Sequence, residues 1–141
     1  MGPLLAYPAR VDPNRIPITE IMTKTTITAP ATAPPAEIAA LMIDNHISCV
    51  PIVDNEGHPI GIITKLDLIE SPGRATAREL MMPHAISITI RDTLASAAKL
   101  MTHEGFHHLL VLDDHKNLAG IVSTFDITRW VATSSAAEVS A

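Results

Sequence analysis

One heptapeptide pattern occurs twice in this chain. Gly61-Ile62-Ile63-Thr64-Lys65-Leu66-Asp67 recurs as Gly120-Ile121-Val122-Ser123-Thr124-Phe125-Asp126, an offset of 59 residues. The same offset carries Glu20 and Met22 onto Glu79 and Met81, and Ile27 onto Ile86. It also carries Ala36, Ala39, Leu41, Met42 and Asp54 onto Ala95, Ala98, Leu100, Met101 and Asp113, without a gap between residues 20 and 70. Two copies of one folding unit have been fused, and that constrains the fold more than any composition does. A repeated polar pair also points to a repeated ligand site.

A copy of roughly 50–60 residues buries so little surface that it would be marginal alone, so the two copies are expected to share one core. The 141 residues are 47% hydrophobic and 18% charged, with a mean hydropathy of +0.25, as in a packed globular chain. Only Tyr7, Phe106, Phe125 and Trp130 are aromatic, which leaves little material for a stacking surface for nucleic acid. The net charge is −5 and no basic run exists, which argues against nucleic acid and anionic membrane as partners. No apolar run approaches the ~20 residues of a membrane span. One cysteine, Cys49, excludes an internal disulfide and fits a reducing compartment. Met1 to Pro17 lacks the order of a secretory signal, so the cytoplasm is the expected location.

Residues 1–17, with Pro3, Pro8, Pro13 and Pro17, read as an extended arm, and residues 132–141 as a fraying tail. Between them, residues 18–70 and 77–131 are the two repeats, joined by a connector at 71–76 that carries Ser71-Pro72-Gly73. Each repeat opens on an extended segment, Thr25 to Thr28 or Ala85 to Ile88. A helix follows. Pro34 and Pro35 suit its start in the first copy, and Asp92 or Thr93 suits its cap in the second. Ile38, Leu41 and Met42 mark the buried stripe in one, and Ala97, Leu100 and Met101 in the other. Val50–Val53 and Ile60–Ile63 flank the turn Asp54 to Gly57; Leu109–Leu112 and Leu118–Val122 flank Asp113 to Asn117. Both are hairpin signals. A second helix starts at Thr64 or Ser123 and runs toward Ile69 or Trp130. The expectation is an α+β fold of two strand-helix-strand-strand-helix repeats.

That order, its duplication, and the ending Gly-apolar-apolar-[Thr/Ser]-x-x-Asp resemble the cystathionine-β-synthase (CBS) domain family. The resemblance covers residues 18–131 and takes in Ile21-Met22-Thr23, Leu41-Met42 and Val50-Pro51-Ile52-Val53-Asp54. It implies a Bateman module: two domains packed through their sheets, with two clefts about a pseudo-twofold axis. It also implies adenosine-containing ligands, namely AMP, ADP, ATP, S-adenosylmethionine or a dinucleotide, and a regulatory rather than catalytic role. No cofactor is required. A homodimer acting on a separate, unidentified protein partner completes the picture.

The residues suit such a ligand. An ionised carboxylate accepts both ribose hydroxyls. Thr64 and Ser123 stand at helix N-termini, which favour phosphate oxygens. Gly61 and Gly120 leave room for close approach. By the resemblance, the aspartate of one copy faces the first and middle strands of the other. One cleft then comprises Thr64, Lys65, Asp67, Ile86, Ser87, Phe106, His107 and His108. The other comprises Thr26, Ile27, Ile47, Ser48, Cys49, Val50, Ser123 and Asp126. Because His108 matches a position where the family can place a basic residue, the Asp67 cleft is expected to take phosphate. The Asp126 cleft lacks an evident counter-charge, with Lys65 and Arg91 as the available helpers.

The plainer reading is that Thr64-x-x-Asp67 and Ser123-x-x-Asp126 are helix-capping patterns, which alone occur far more often as caps than as ligand sites. A ligand-free interaction and assembly domain is therefore the second hypothesis. The third is a metal-dependent hydrolase using the seven histidines, though no H-E-x-x-H or paired-cysteine motif supports it. No nucleophile elbow or phosphate loop points to an enzyme.

Overall fold

The computed structural model describes residues 11–24, 27–70, 73, 74, 76–83 and 87–140; the side chains of Pro83 and residues 135–140 lie outside that description. In the first repeat, β1 (Ala29–Pro30) leads into α1 (Pro35–Asn45), β2 (Cys49–Val53), β3 (Pro59–Thr64) and α2 (Lys65–Glu70). In the second, α3 (Ala77–Leu80) and β4 (Met82–Pro83) precede β5 (Ser87–Thr89), α4 (Leu94–Glu104), β6 (His108–Leu112), β7 (Leu118–Ser123) and α5 (Thr124–Ser140). The α+β repeat order expected from the sequence is the observed one. β1 and β5 begin later than the extended segments assigned to them, and Thr25, Thr26, Ala85 and Ile86 lie outside the described residues.

The strands form two sheets, β1-β2-β3-β4 and β5-β6-β7, that face each other. Side chains alternate along the central strands. Val50, Ile52 and Ile63 pack outward with Ile38 and Met42 of α1, and Leu109, Val111 and Val122 pack outward with Leu94, Ala97 and Met101 of α4. Cys49, Ile62, Leu110 and Ile121 point inward and close the layer between the sheets. Strands covered on both faces read as continuous apolar runs, which is why β2 and β6 do.

The sequence repeats are not the packing units. Ile18 and Ile21, from the start of the first repeat, are buried in the core of the second; Ala77 and Leu80, from the start of the second, are buried in the core of the first. The backbone follows. Thr23 N–H donates to the Ile121 carbonyl at 2.8 Å, and Ile121 N–H to that of Thr23 at 2.9 Å. In the other half Met82, the counterpart of Thr23, and Pro83 pair antiparallel with Ile62 and Gly61 on β3. The expected arm is also tied down at its end: Leu94 N–H donates to the Ile16 carbonyl at 2.8 Å and Ile18 N–H to that of Asp92 at 2.9 Å.

This exchange gives Gly61 and Gly120 a different role from the expected one. A Cβ on Gly120 would lie 2.8 Å from the Thr23 carbonyl oxygen and 2.9 Å from Met22 Sδ. On Gly61 it would meet Met81 Sδ at 2.6 Å and the Met82 carbonyl oxygen at 2.9 Å. The close backbone approach is by the exchanged strand, not by a ligand.

The helix ends keep their geometry where the residues diverge. Gly105 closes α4 at φ 75°, and its counterpart His46 closes α1 at φ 54°. Thr93 is the α4 cap, its hydroxyl accepting from Ser96 N–H at 3.2 Å. The tail expected to fray from residue 132 is instead helical backbone to Ser140; it holds no glycine or proline to stop α5.

Gly120→Ala is expected to destabilise the protein by about 1–3 kcal/mol, the usual range for overpacking. The obstructing Thr23 carbonyl belongs to a paired backbone and cannot turn aside. Urea unfolding measures the loss; wild-type stability would contradict the glycine notch.

Candidate functional site

β7 ends and α5 begins at Ser123-Thr124, and the turn between them is closed by Asp126. Its Oδ2 accepts from Ser123 N–H at 2.9 Å, while Asp126 N–H donates to Ser123 Oγ at 3.1 Å. This reciprocal pair is the capping box the spacing predicts. The first copy repeats it: Asp67 Oδ2 accepts from Thr64 N–H at 2.8 Å and from the Thr64 hydroxyl at 3.0 Å.

Asp126 carries more than a cap. Its Oδ1 also accepts from the Thr23 hydroxyl at 3.1 Å and from Arg129 Nη2 at 2.6 Å. The residue is only 6% exposed. A carboxylate so far removed from water must be paired, and these donors do that. Thr23 reaches it because the exchanged strand lies beside β7; Arg129 reaches it because residues three apart share a helix face.

Beside this carboxylate lies a cavity of about 500 Å³. Ile47, Ser48 and Cys49 of the first copy form one wall; Ile121, Ser123, Thr124 and Phe125 form another; Thr23, His46, His108 and Arg129 complete it. The structure thus brings Ile47, Ser48 and Cys49 together with Ser123 and Asp126, as the resemblance implied. Val50 does not join them: it is fully buried on the helix side of β2. Ile27 is half-buried, and Thr26 lies outside the described residues.

His108 is the main departure. It was assigned with Asp67, yet it lines the Asp126 cavity, its Nε2 3.3 Å from Ser48 Oγ. Cys49 and His108 are equivalent positions of the repeat, and residues near a pseudo-twofold axis border both halves. Of the other Asp67-cleft residues, Phe106 packs on the core of the second repeat, and Lys65, Ser87 and His107 are exposed. Ile86 lies outside the described residues.

The helix starts are also less open than expected. Lys65 N–H donates to the Ser48 carbonyl and Thr124 N–H to that of His107, each at 3.0 Å. Ser123 and Asp126 N–H are bonded as well, so most of the first-turn amides of α5 are already engaged. Arg129 lines this cavity, so a cation stands beside the Asp126 cleft where none was evident from the sequence. The sequence held a signal for it: the repeat offset sets Arg129 opposite Glu70, a reversal of charge three residues beyond the aligned aspartates. Arg91 points elsewhere, forming an exposed pair with Asp114 at 2.9 Å.

Burial, then the charge of Asp126, pushes the Cys49 thiol up to about 12, so it is a protonated, apolar wall rather than a nucleophile. Burial and His107 hold His108 below the ordinary imidazole value, against an opposing pull from Asp126. His108 is accordingly neutral near pH 7 and takes up its proton at a lower pH than an ordinary imidazole does. Among the described residues no cluster of three or more metal-ligating side chains occurs, and no helix is long and apolar enough to cross a membrane.

The family model of the CBS domain matches the chain twice, over residues 18–73 and 77–133. The chain belongs to the CBS domain family and carries a tandem pair. An uncharacterised protein of Methanopyrus kandleri is 33% identical over 119 residues, covering 79% of this chain and 61% of that protein. L-aspartate semialdehyde sulfurtransferase of Methanocaldococcus jannaschii is 31% identical over 122 residues, 83% of this chain but 24% of the enzyme. The chain thus spans less than two thirds of either relative. Among solved structures, the CBS domain pair of protein MJ0100, in complex with 5′-methylthioadenosine and S-adenosyl-L-methionine, superposes with a TM-score of 0.79 at 28% identity. That match covers 84% of this chain and 97% of the pair.

A depressed imidazole means that, below about pH 6.5, the unfolded chain binds more protons than the folded one. Stability from neutral His108 is therefore full above that pH and lost on acidification. The melting temperature is expected to fall between pH 7.5 and 5.5, and to fall less in His108→Gln. The same drop in both proteins would contradict this assignment.

Proposed function

We propose that this pair is a regulatory module that binds an adenosine-containing nucleotide in the Asp126 cleft and passes its occupancy to a separate protein partner. One observation carries the reading: a buried, ionisable acceptor at the edge of a cavity whose walls come from both copies. The carboxylate suits a ribose diol, and Ile47 with the apolar Cys49 suits a purine face. The relative of protein MJ0100, with two adenosine-derived ligands, supports this ligand class. Asp67 and Thr64, built on the same cap, form the second proposed site, with Ser87 and His107 as its far wall. The module acts without catalysis of its own and works in the cytoplasm.

A homodimer fits the outer surface. Ile43, Leu66, Ile69 and Phe125 are 72%, 57%, 74% and 66% exposed on the outer helices, a sizeable apolar area for one chain to leave in water. Light scattering at micromolar concentration should give twice the chain mass; a monomer would contradict it.

A second reading has its own support. Thr23, Ser123 and Arg129 already satisfy Asp126, as they would in an assembly domain that binds no ligand. A thermal-shift screen against AMP, ADP, ATP, NAD(H), S-adenosylmethionine and 5′-methylthioadenosine separates the two. A ligand at 100 times its dissociation constant should add about 2.7 kcal/mol of stability. Asp126→Ala should weaken the bound nucleotide roughly ten- to hundredfold by calorimetry, the loss of a charge-assisted acceptor. If no adenosine-containing ligand shifts the melt, the assembly reading stands.

A further inference from the structure

The donors around Asp126 differ in what can move. Ser123 N–H is backbone inside the cap, and Thr23 is held by two backbone bonds to Ile121. Arg129 is held by neither. Its side chain is 53% exposed, and its guanidinium lies 5.3 Å from the centre of the Phe125 ring. Oδ1 carries Thr23 and Arg129 together, whereas Oδ2 carries Ser123 N–H. A ribose diol asks for two acceptor positions on this carboxylate; three of its roughly four are taken, so accepting both hydroxyls displaces one donor, and the long, half-exposed Arg129 side chain leaves with the least rearrangement.

Building on the proposed nucleotide site, we infer that Arg129 is a charge latch that determines ligand specificity. With the cleft empty, the guanidinium caps Asp126. A nucleoside that takes the carboxylate displaces it, and the freed cation stays beside the cavity it lines. Displacement costs an ion pair at a poorly solvated carboxylate, and only a ligand that brings its own anionic group restores one. An arginine meets phosphate through paired N–H donors, and the helix-start amides Thr124 N–H and Asp126 N–H are already engaged. The Asp126 cleft therefore selects phosphate-bearing nucleosides over uncharged nucleosides. The device belongs to one copy, since the equivalent of Arg129 in the first repeat is Glu70.

The latch makes a prediction of opposite response. Calorimetric titrations of the full chain with AMP and with adenosine are run on the wild type, Arg129→Ala and Arg129→Gln. AMP should bind the wild type more tightly than adenosine does. Both substitutions should weaken AMP roughly ten- to hundredfold. Adenosine affinity should stay level or rise, because its competitor for Asp126 is gone. The Gln variant keeps a neutral donor within reach of Asp126 and guards against a folding defect in the Ala variant. Equal weakening of both ligands, or no change in either, overturns the latch. So does wild-type binding of adenosine as tight as that of AMP, an outcome that leaves the nucleotide-site proposal intact. Failure of every adenosine-containing ligand to bind the wild type removes both.

Discussion

The structure depends on a backbone-to-backbone contact across the two repeats. The segment at Met22-Thr23 lies against β7, and the segment at Met81-Met82 lies against β3, each in a gap that a glycine leaves open. Small units bury so little surface that they are marginal alone. Here each repeat lends its opening turn to the other's core, Ile18 and Ile21 in one direction and Ala77 and Leu80 in the other. Neither half is complete without its partner, so the inward layer of Cys49, Ile62, Leu110 and Ile121 closes between sheets that already share chain.

The same exchange builds the cleft. Thr23 arrives at Asp126 only because its strand has crossed to the other repeat, and Ser48 and Cys49 face that carboxylate only because the sheets are stacked. Fold and site are one set of contacts. The capping reading and the ligand reading of Asp126 are therefore compatible: the cap fixes the carboxylate's position, and the lateral donors decide whether it is free.

Duplication explains the symmetry, and divergence within it explains the chemistry. Backbone shape has been kept where residues changed: His46 holds the left-handed turn that Gly105 holds, and Lys116 at φ 65° matches Gly57 at φ 87°. Such non-glycine positions cost about 1–2 kcal/mol each, which the surrounding turn must offset. Charge has not been kept. Arg129 stands where the first repeat has Glu70, which sets a cation beside the Asp126 carboxylate.

Much of this was legible in the sequence. The 59-residue offset, the apolar stripes around Ile38 and Ala97, the paired hairpins and the Ser123–Asp126 cap are local patterns, and local patterns follow from residue spacing alone. The opening turns at Ile18–Glu20 and Ala77–Leu80 were not read, because a three- or four-residue helix has too little periodicity to register. The partners of Asp126 divided along the same line. Ser123 was legible as its cap; Thr23 was not, nor was the place of His108 in the same cavity, since strand exchange and a pseudo-twofold axis decide which distant residues meet. Gly120 could be read as a place of close approach, but only the folded chain shows that what approaches is Thr23. Sequence spacing determines what a segment can form with itself; long-range packing decides which charges and hydroxyls converge on one carboxylate.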